Sequence, residues 1–159
     1  MLRRKEKNEK DVQYILDNLR EFDKLECETL HGENWKETEY NEIMNSSSHI
    51  LLGVDKNDVP VCIGGVCDTS EQGVGVVWLL STNDVTKHKF SFLKEMKKEF
   101  EKYDEKYWFL YNFIYCKNHI AKNWLKWIGF KFDIPKPVGY KIPEGFEFFY
   151  RMREHRGLI

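Results

Sequence analysis

The residues whose types lend themselves to nucleophilic or metal chemistry are four cysteines, Cys27, Cys62, Cys67 and Cys116, and five histidines, His31, His49, His88, His119 and His155. A cysteine attacks as its thiolate and needs a base beside it. The pairings to weigh are Cys62 or Cys67 with His88 or His119, and no local context supports any of them. The cysteines fall at irregular spacings without a Cys-x-x-Cys pair, which argues against a zinc ribbon and against a disulfide framework. Four reduced thiols are expected. No ligand set stands out at helical or hairpin spacing, so no metal site is expected, and His31, His49 and His155 read as surface or turn residues.

Aromatic side chains interleaved with cations are the other chemically suggestive pattern. Trp124, Trp127, Phe130 and Phe132 lie near Lys122, Lys126 and Lys131, and the tail carries Arg151, Arg153 and Arg156. Bases stack on such rings in basic grooves. The chain's net charge of −1 supplies little attraction for a polyphosphate, so these rings are read as core and a nucleic-acid partner is not expected. An exposed subset would mark a protein interface.

The elements that must position these residues follow from composition and periodicity. With 159 residues, 42% of them hydrophobic, the chain is expected to fold as a single domain, residues 1–159, with a real core. Its apolar runs, such as Val76 to Leu80, are far below the roughly 20 residues a bilayer span takes. The basic start, Met1 to Lys7, is followed by no apolar segment, so a cytoplasmic protein is expected. Asn8-x-x-Asp11 opens a helix over about 9–30, with Val12, Ile15, Leu16, Leu19 and Phe22 at helical spacing and His31-Gly32 ending it. A shorter helix starts at Asn34-Trp35 and fades at a turn over 45–48. Residues 49–54 and 59–67 read as a hairpin and 74–81 as a buried strand. The clearest helix spans 88–107, with Phe90, Leu93, Met96, Phe100, Tyr103 and Tyr107 on its apolar face. A strand over 108–116, a helix over 119–128 closed by Gly129, a strand at 130–132 and a last strand over 146–152 follow; Leu2 to Lys5 is a weak first strand. The fold class is α/β, a mixed central sheet of about six or seven strands flanked by helices.

That order resembles the GNAT superfamily of acyl-CoA-dependent N-acetyltransferases. Its most specific local match is Asn118-His119-Ile120-Ala121 running to Gly129-Phe130, which looks like the superfamily's N-x-x-A-(x7)-G-F segment. A closer resemblance is to small proteins of short-tailed phages described as GNAT-like or internal virion protein A-like. It rests on Gly64-Gly65 in a strand, Trp78 to Thr82, the Lys-rich helix and the segment His119 to Gly129.

The resemblance implies acetyl-CoA as co-substrate and an amine as acceptor, in a cleft between strands 74–81 and 108–116. It places the pantetheine arm along the backbone of Leu79, Leu80 and Ser81, with Asn118 as a polar contact; a helix cap is the alternative for Asn118. The pyrophosphate would lie at the following helix start, where free amides and the helix dipole favour anions. There the superfamily's R-x-x-G-x-G is replaced by Thr86 to Ser91, with Thr86, Lys89 and Ser91 at the Arg and Gly positions, and Lys87, His88 and Lys89 are left to attract phosphate. The position where many members carry a proton-donating Tyr is Leu125, so Tyr111, Tyr115 or Cys116 would have to serve, and Asp68, Glu71 or Asp84 is a candidate base. Two functions are therefore expected to compete: an N-acetyltransferase-like protein of low activity, or an inactive GNAT-like protein of phage assembly or the virion core, with phage structural proteins as partners, in the host cytoplasm or the virion.

Overall fold

The computed structural model describes residues 1–46 and 49–153; Ser47 and Ser48 of the expected turn, together with His155 and Arg156, lie outside the described residues. Its strands are β1 (Arg3–Lys5), β2 (His49–Val54), β3 (Pro60–Asp68), β4 (Val74–Ser81), β5 (Phe109–Tyr115) and β6 (Phe146–Met152). Its helices are α1 (Glu9–Asp17), α2 (Glu21–His31), α3 (Trp35–Asn45), α4 (Lys89–Tyr103) and α5 (His119–Ile128). The strands form one six-stranded sheet in the order β1 to β6, flanked by helices. The sheet is mixed: β4 and β5 are parallel, whereas β1 with β2, β2 with β3 and β5 with β6 are antiparallel. The expected fold class is the one observed.

The described residues divide into two compact units, one drawn from residues 1–67 and 78–92 and the other from residues 68–77 and 93–159. In the first, Val12, Ile15 and Leu16 of α1 pack with Cys27, Trp35 and Ile43 of the next two helices and with Leu52, Val54, Ile63 and Leu80 of the strands. The Asn8 side chain caps α1, its Oδ1 accepting from the Asp11 N–H at 3.0 Å. Lys7 Nζ closes the other end of the helical layer, donating to the carbonyls of Ile43, Met44 and Ser46 at 2.9, 3.1 and 2.7 Å. A cation among the last carbonyls of α3 satisfies groups that the helix leaves orphaned.

Two glycines let β3 lie unusually close to its neighbours. A Cβ on Gly64 would stand 2.7 Å from the Trp78 carbonyl oxygen, and one on Gly65 would stand 2.1 Å from that of His49. In the second unit, β4 and β5 pair over Val74–Phe109, Gly75–Leu110 and Val76–Tyr111, and β5 then pairs along its whole length with β6. Phe130 anchors the aromatic core there, edge-on to Phe100 and Phe149 at 5.1 and 5.2 Å between centroids. Gly129 ends α5 at φ 119°, a left-handed cap that an L side chain rarely adopts.

Three expectations are corrected. The helix over 9–30 is two helices, because the chain leaves the helical path at Asn18 to Arg20: Leu19 bridges to Thr82, and the Arg20 N–H donates to the Ser81 carbonyl at 2.9 Å. The apolar face of 88–107 does not include Phe90, which is 84% exposed; α4 starts only at Lys89, and Phe92, Leu93, Phe100 and Tyr103 form the buried stripe. Residues 130–132 make no strand, only a bridge from Lys131 to Tyr150, since Phe130 and Phe132 are held by ring packing against Phe149.

Candidate functional site

Strand β4 runs into a 3-10 turn over Asn83–His88 and then into α4. Successive residues of a strand direct their N–H and C=O to opposite edges. The Thr82 N–H reaches toward β3, donating to the Val61 carbonyl at 2.9 Å, so the backbone groups of Leu79 and Ser81 face the other edge. At Ser81 that edge is already engaged. Asp23 Oδ2 accepts from the Ser81 N–H at 2.9 Å and from Ser81 Oγ at 3.0 Å, while the Ser81 carbonyl accepts from the Arg20 N–H. Ser81 and Asp23 are 1% and 6% exposed, and burial pushes the Asp23 carboxyl above the usual carboxylate range even though the Arg20 charge and the Ser81 bonds oppose it. This polar lock, absent from every sequence expectation, had one faint signal: Asp23 stands four residues before the buried Cys27, on the helix's inner face.

The turn after Thr82 is capped by that residue's Oγ1, which accepts from the Asp84 N–H at 3.3 Å. Lys87 is bound to Asp84 at 3.2 Å with its side chain 75% exposed, and the Lys89 ammonium lies 5.9 Å from the exposed Phe90 ring. His88 lies close enough to Asp55 to contribute, behind hydrogen bonding from the Val59 N–H, to holding that carboxyl below its usual range. Ser91 does not offer a bare backbone as a glycine would; its Oγ accepts from the Leu2 N–H at 2.9 Å. Leu79, Leu80, Ser81, Lys87, His88 and Lys89 thus share the first unit.

Asn118 belongs to the second unit. It is the N-cap residue of α5 and is 1% exposed, yet its side chain makes no capping bond, and its Oδ1 has no hydrogen-bond partner among the described residues. A buried acceptor left unmatched costs about 1–3 kcal/mol, which marks the position as one where something other than the helix is served. On β5, the Asn112 side chain donates to the Val77 carbonyl at 2.6 Å, taking over that carbonyl just past the last β4–β5 register pair.

The proton-transfer candidates divide by environment. Tyr111 is half-buried against the Tyr140 ring at 4.7 Å, and burial raises its phenol above the usual range, with Tyr140 and Glu71 adding to the effect. Asp68 accepts from Tyr107 Oη at 2.5 Å and pairs with Lys106 at 3.4 Å, and Asp84 is tied to Lys87. Cys62 is buried and its thiol is pushed up to about 12, the opposite of an activated nucleophile. Of the aromatic residues near Lys122 and Lys126, Trp124 and Phe130 are core, Phe132 lies under both ammonium groups at 5.8 and 5.5 Å, and Trp127 is exposed beneath Lys97 at 5.0 Å. No helix among the described residues is long and apolar enough to cross a membrane.

Comparison with solved structures places the fold among GNAT-family N-acetyltransferases. The chain is similar to spermidine N-acetyltransferase from Vibrio cholerae, solved with CoA and spermine, at 12% identity and a TM-score of 0.65, covering 96% of this chain and 95% of that one. It is similar to the ribosomal-protein-S18-alanine N-acetyltransferase of Escherichia coli, at 11% identity, TM-score 0.66 and coverage of 99% and 97%. A GCN5-related N-acetyltransferase from Kribbella flavida gives 13% identity, TM-score 0.67 and coverage of 95% and 97%. No protein-family model matches the sequence, and no curated protein matches it.

Proposed function

We propose that this protein is an acyl-CoA-dependent N-acetyltransferase-like protein of low activity, taking acetyl-CoA as co-substrate and an amine as acceptor. The observation that carries the reading is Asn118, a buried side chain at the head of α5 with an acceptor oxygen that none of the described residues satisfies. An amide N–H of a pantetheine arm is the kind of donor it lacks. On β4, Leu79 offers its backbone while Leu80 between it and Ser81 turns its own toward β3, Ser81 takes part only when its lock to Asp23 and Arg20 opens, and Lys87, His88 and Lys89 attract the phosphates without a glycine cradle. Bound acetyl-CoA supplies the acyl group. The chain's own residues orient it, and Tyr111, Tyr115 or Cys116 holds the proton that Leu125 cannot.

Titration of the full chain with acetyl-CoA tests this. Weak saturable binding is expected, falling about tenfold in Asn118→Ala, the loss of roughly one hydrogen bond to a buried group. A parent that shows no binding overturns the proposal. The closed edge at Ser81 favours a second reading, an inactive GNAT-like protein of phage assembly or the virion core acting in the host cell, and that outcome would support it.

A further inference from the structure

The α2–α3 hairpin gathers a mixed set of metal-ligating groups. A 3-10 turn over Gly32–Asn34 reverses the chain between the two helices. Cys27 and His31 stand four apart on α2, and Glu39 and Glu42 three apart on α3, so each pair shares one helix face. His31 Nε2 lies 2.8 Å from Glu39 Oε1 and 4.0 Å from Glu42 Oε2, and one ligand atom from each of the three residues falls within 4.8 Å of the others. The Cys27 thiol, 2% exposed, hydrogen-bonds to Glu39. Two carboxylates here face one imidazole.

We propose that His31, Glu39 and Glu42 form a binding site for a divalent transition-metal ion of zinc's kind, with water completing the coordination. Imidazole nitrogen with two carboxylates is a borderline donor set that suits zinc better than calcium or magnesium, which prefer oxygen alone. Bonds of about 2.0–2.1 Å in a tetrahedron need donor atoms about 3.3 Å apart. The 2.8 Å edge must open slightly and the 4.0 Å edge close, and Glu42, with its side chain 62% exposed, is free to swing in. The neutral imidazole and two carboxylates together cancel the ion's charge. The hydrogen bond between Cys27 and Glu39 orients that carboxylate, which makes Cys27 a positioning residue.

The test is calorimetric titration of the metal-free full chain with zinc chloride, accompanied by thermal unfolding. One equivalent should bind with Kd below about 10 µM, and the melting temperature should rise with zinc concentration. His31→Ala and Glu42→Gln should each weaken binding at least about tenfold while His49→Ala leaves it unchanged. Glu42→Gln, on an exposed side chain, keeps the test valid if His31→Ala does not fold. In Cys27→Ser, whose hydroxyl also donates, binding should survive. Absence of saturable binding overturns the proposal, as does a Glu42→Gln chain that binds zinc like the parent; loss of binding in folded Cys27→Ser would make the thiolate a ligand and overturn the three-donor assignment.

Discussion

Replacing Asp23 by Ala and by Asn separates what its carboxyl does as an acceptor from what it does as a charge. In the parent, one oxygen accepts both from the Ser81 N–H and from Ser81 Oγ, and Arg20, 9% exposed, is the nearby cation. Asp23→Ala strips the buried Ser81 N–H and hydroxyl of their acceptor, a loss of about 1–3 kcal/mol. At a urea dependence of roughly 2 kcal/mol per molar, the unfolding midpoint should fall by about 1 M. Asn keeps an oxygen that accepts both bonds, so Asp23→Asn should cost less, within about 1.5 kcal/mol. The pH dependence discriminates further. Burial raises the folded-state pKa of Asp23 above its unfolded value, so the stability this carboxyl contributes is complete below the unfolded pKa and is lost as pH rises through the folded one. Asn does not titrate; relative to the parent, Asp23→Asn should therefore gain in urea midpoint as pH is raised from about 4 to 7. If it instead falls further behind as pH rises, the ionised pair with Arg20 dominates and the reasoning from burial is refuted. If Asn costs as much as Ala, the acceptor role is refuted.

Gly64→Ala should destabilise the chain by about 1–3 kcal/mol or more in urea unfolding, because its Cβ would meet the Trp78 carbonyl oxygen at 2.7 Å and backbone must shift. Thiol labelling of the native protein, read by mass spectrometry, should modify Cys67 and Cys116 and spare the buried Cys27 and Cys62, with all four reacting in denaturant. Leu125→Tyr, on the half-buried face of α5, should raise acetyl transfer to amines by up to about 10²-fold if the proposed acetyl-CoA site is right; a parent already turning over at ordinary enzyme rates would show that another group supplies the proton.

The elements most faithfully written in the sequence are those fixed by local pattern. The β2–β3 hairpin, α3 from Trp35, and α5 with Gly129 at its left-handed cap all follow from alternation, periodicity and one permissive residue. The break between α1 and α2 is of another kind. Residues 9–30 carry an uninterrupted helical period, and only the pairing of Leu19 and Arg20 with Thr82 and Ser81, far along the chain, pulls the backbone out of it. Phe90 shows the converse: its spacing suits the apolar stripe, but the 3-10 turn before Lys89 rotates the helix start so that Phe92 takes its place. The residues expected on the β4 edge and at the helix start could be named in advance by resemblance, whereas the partners that already hold Ser81 and Ser91 could not, because no spacing rule connects Asp23 or Leu2 to them.

The lock at Ser81 also changes what an affinity measured on this protein would mean. A partner on the same chain is never diluted, so any extended ligand that is to bond the Ser81 backbone competes with a tethered rival rather than with water. Its apparent dissociation constant is the intrinsic one divided by the fraction of molecules in which Asp23 and Arg20 have let go. Substitutions on α2 that never touch the ligand would then tune occupancy of the strand edge by shifting that population, and a ligand that tightens in an α2 variant would be reporting the rival's departure, not a better fit of its own.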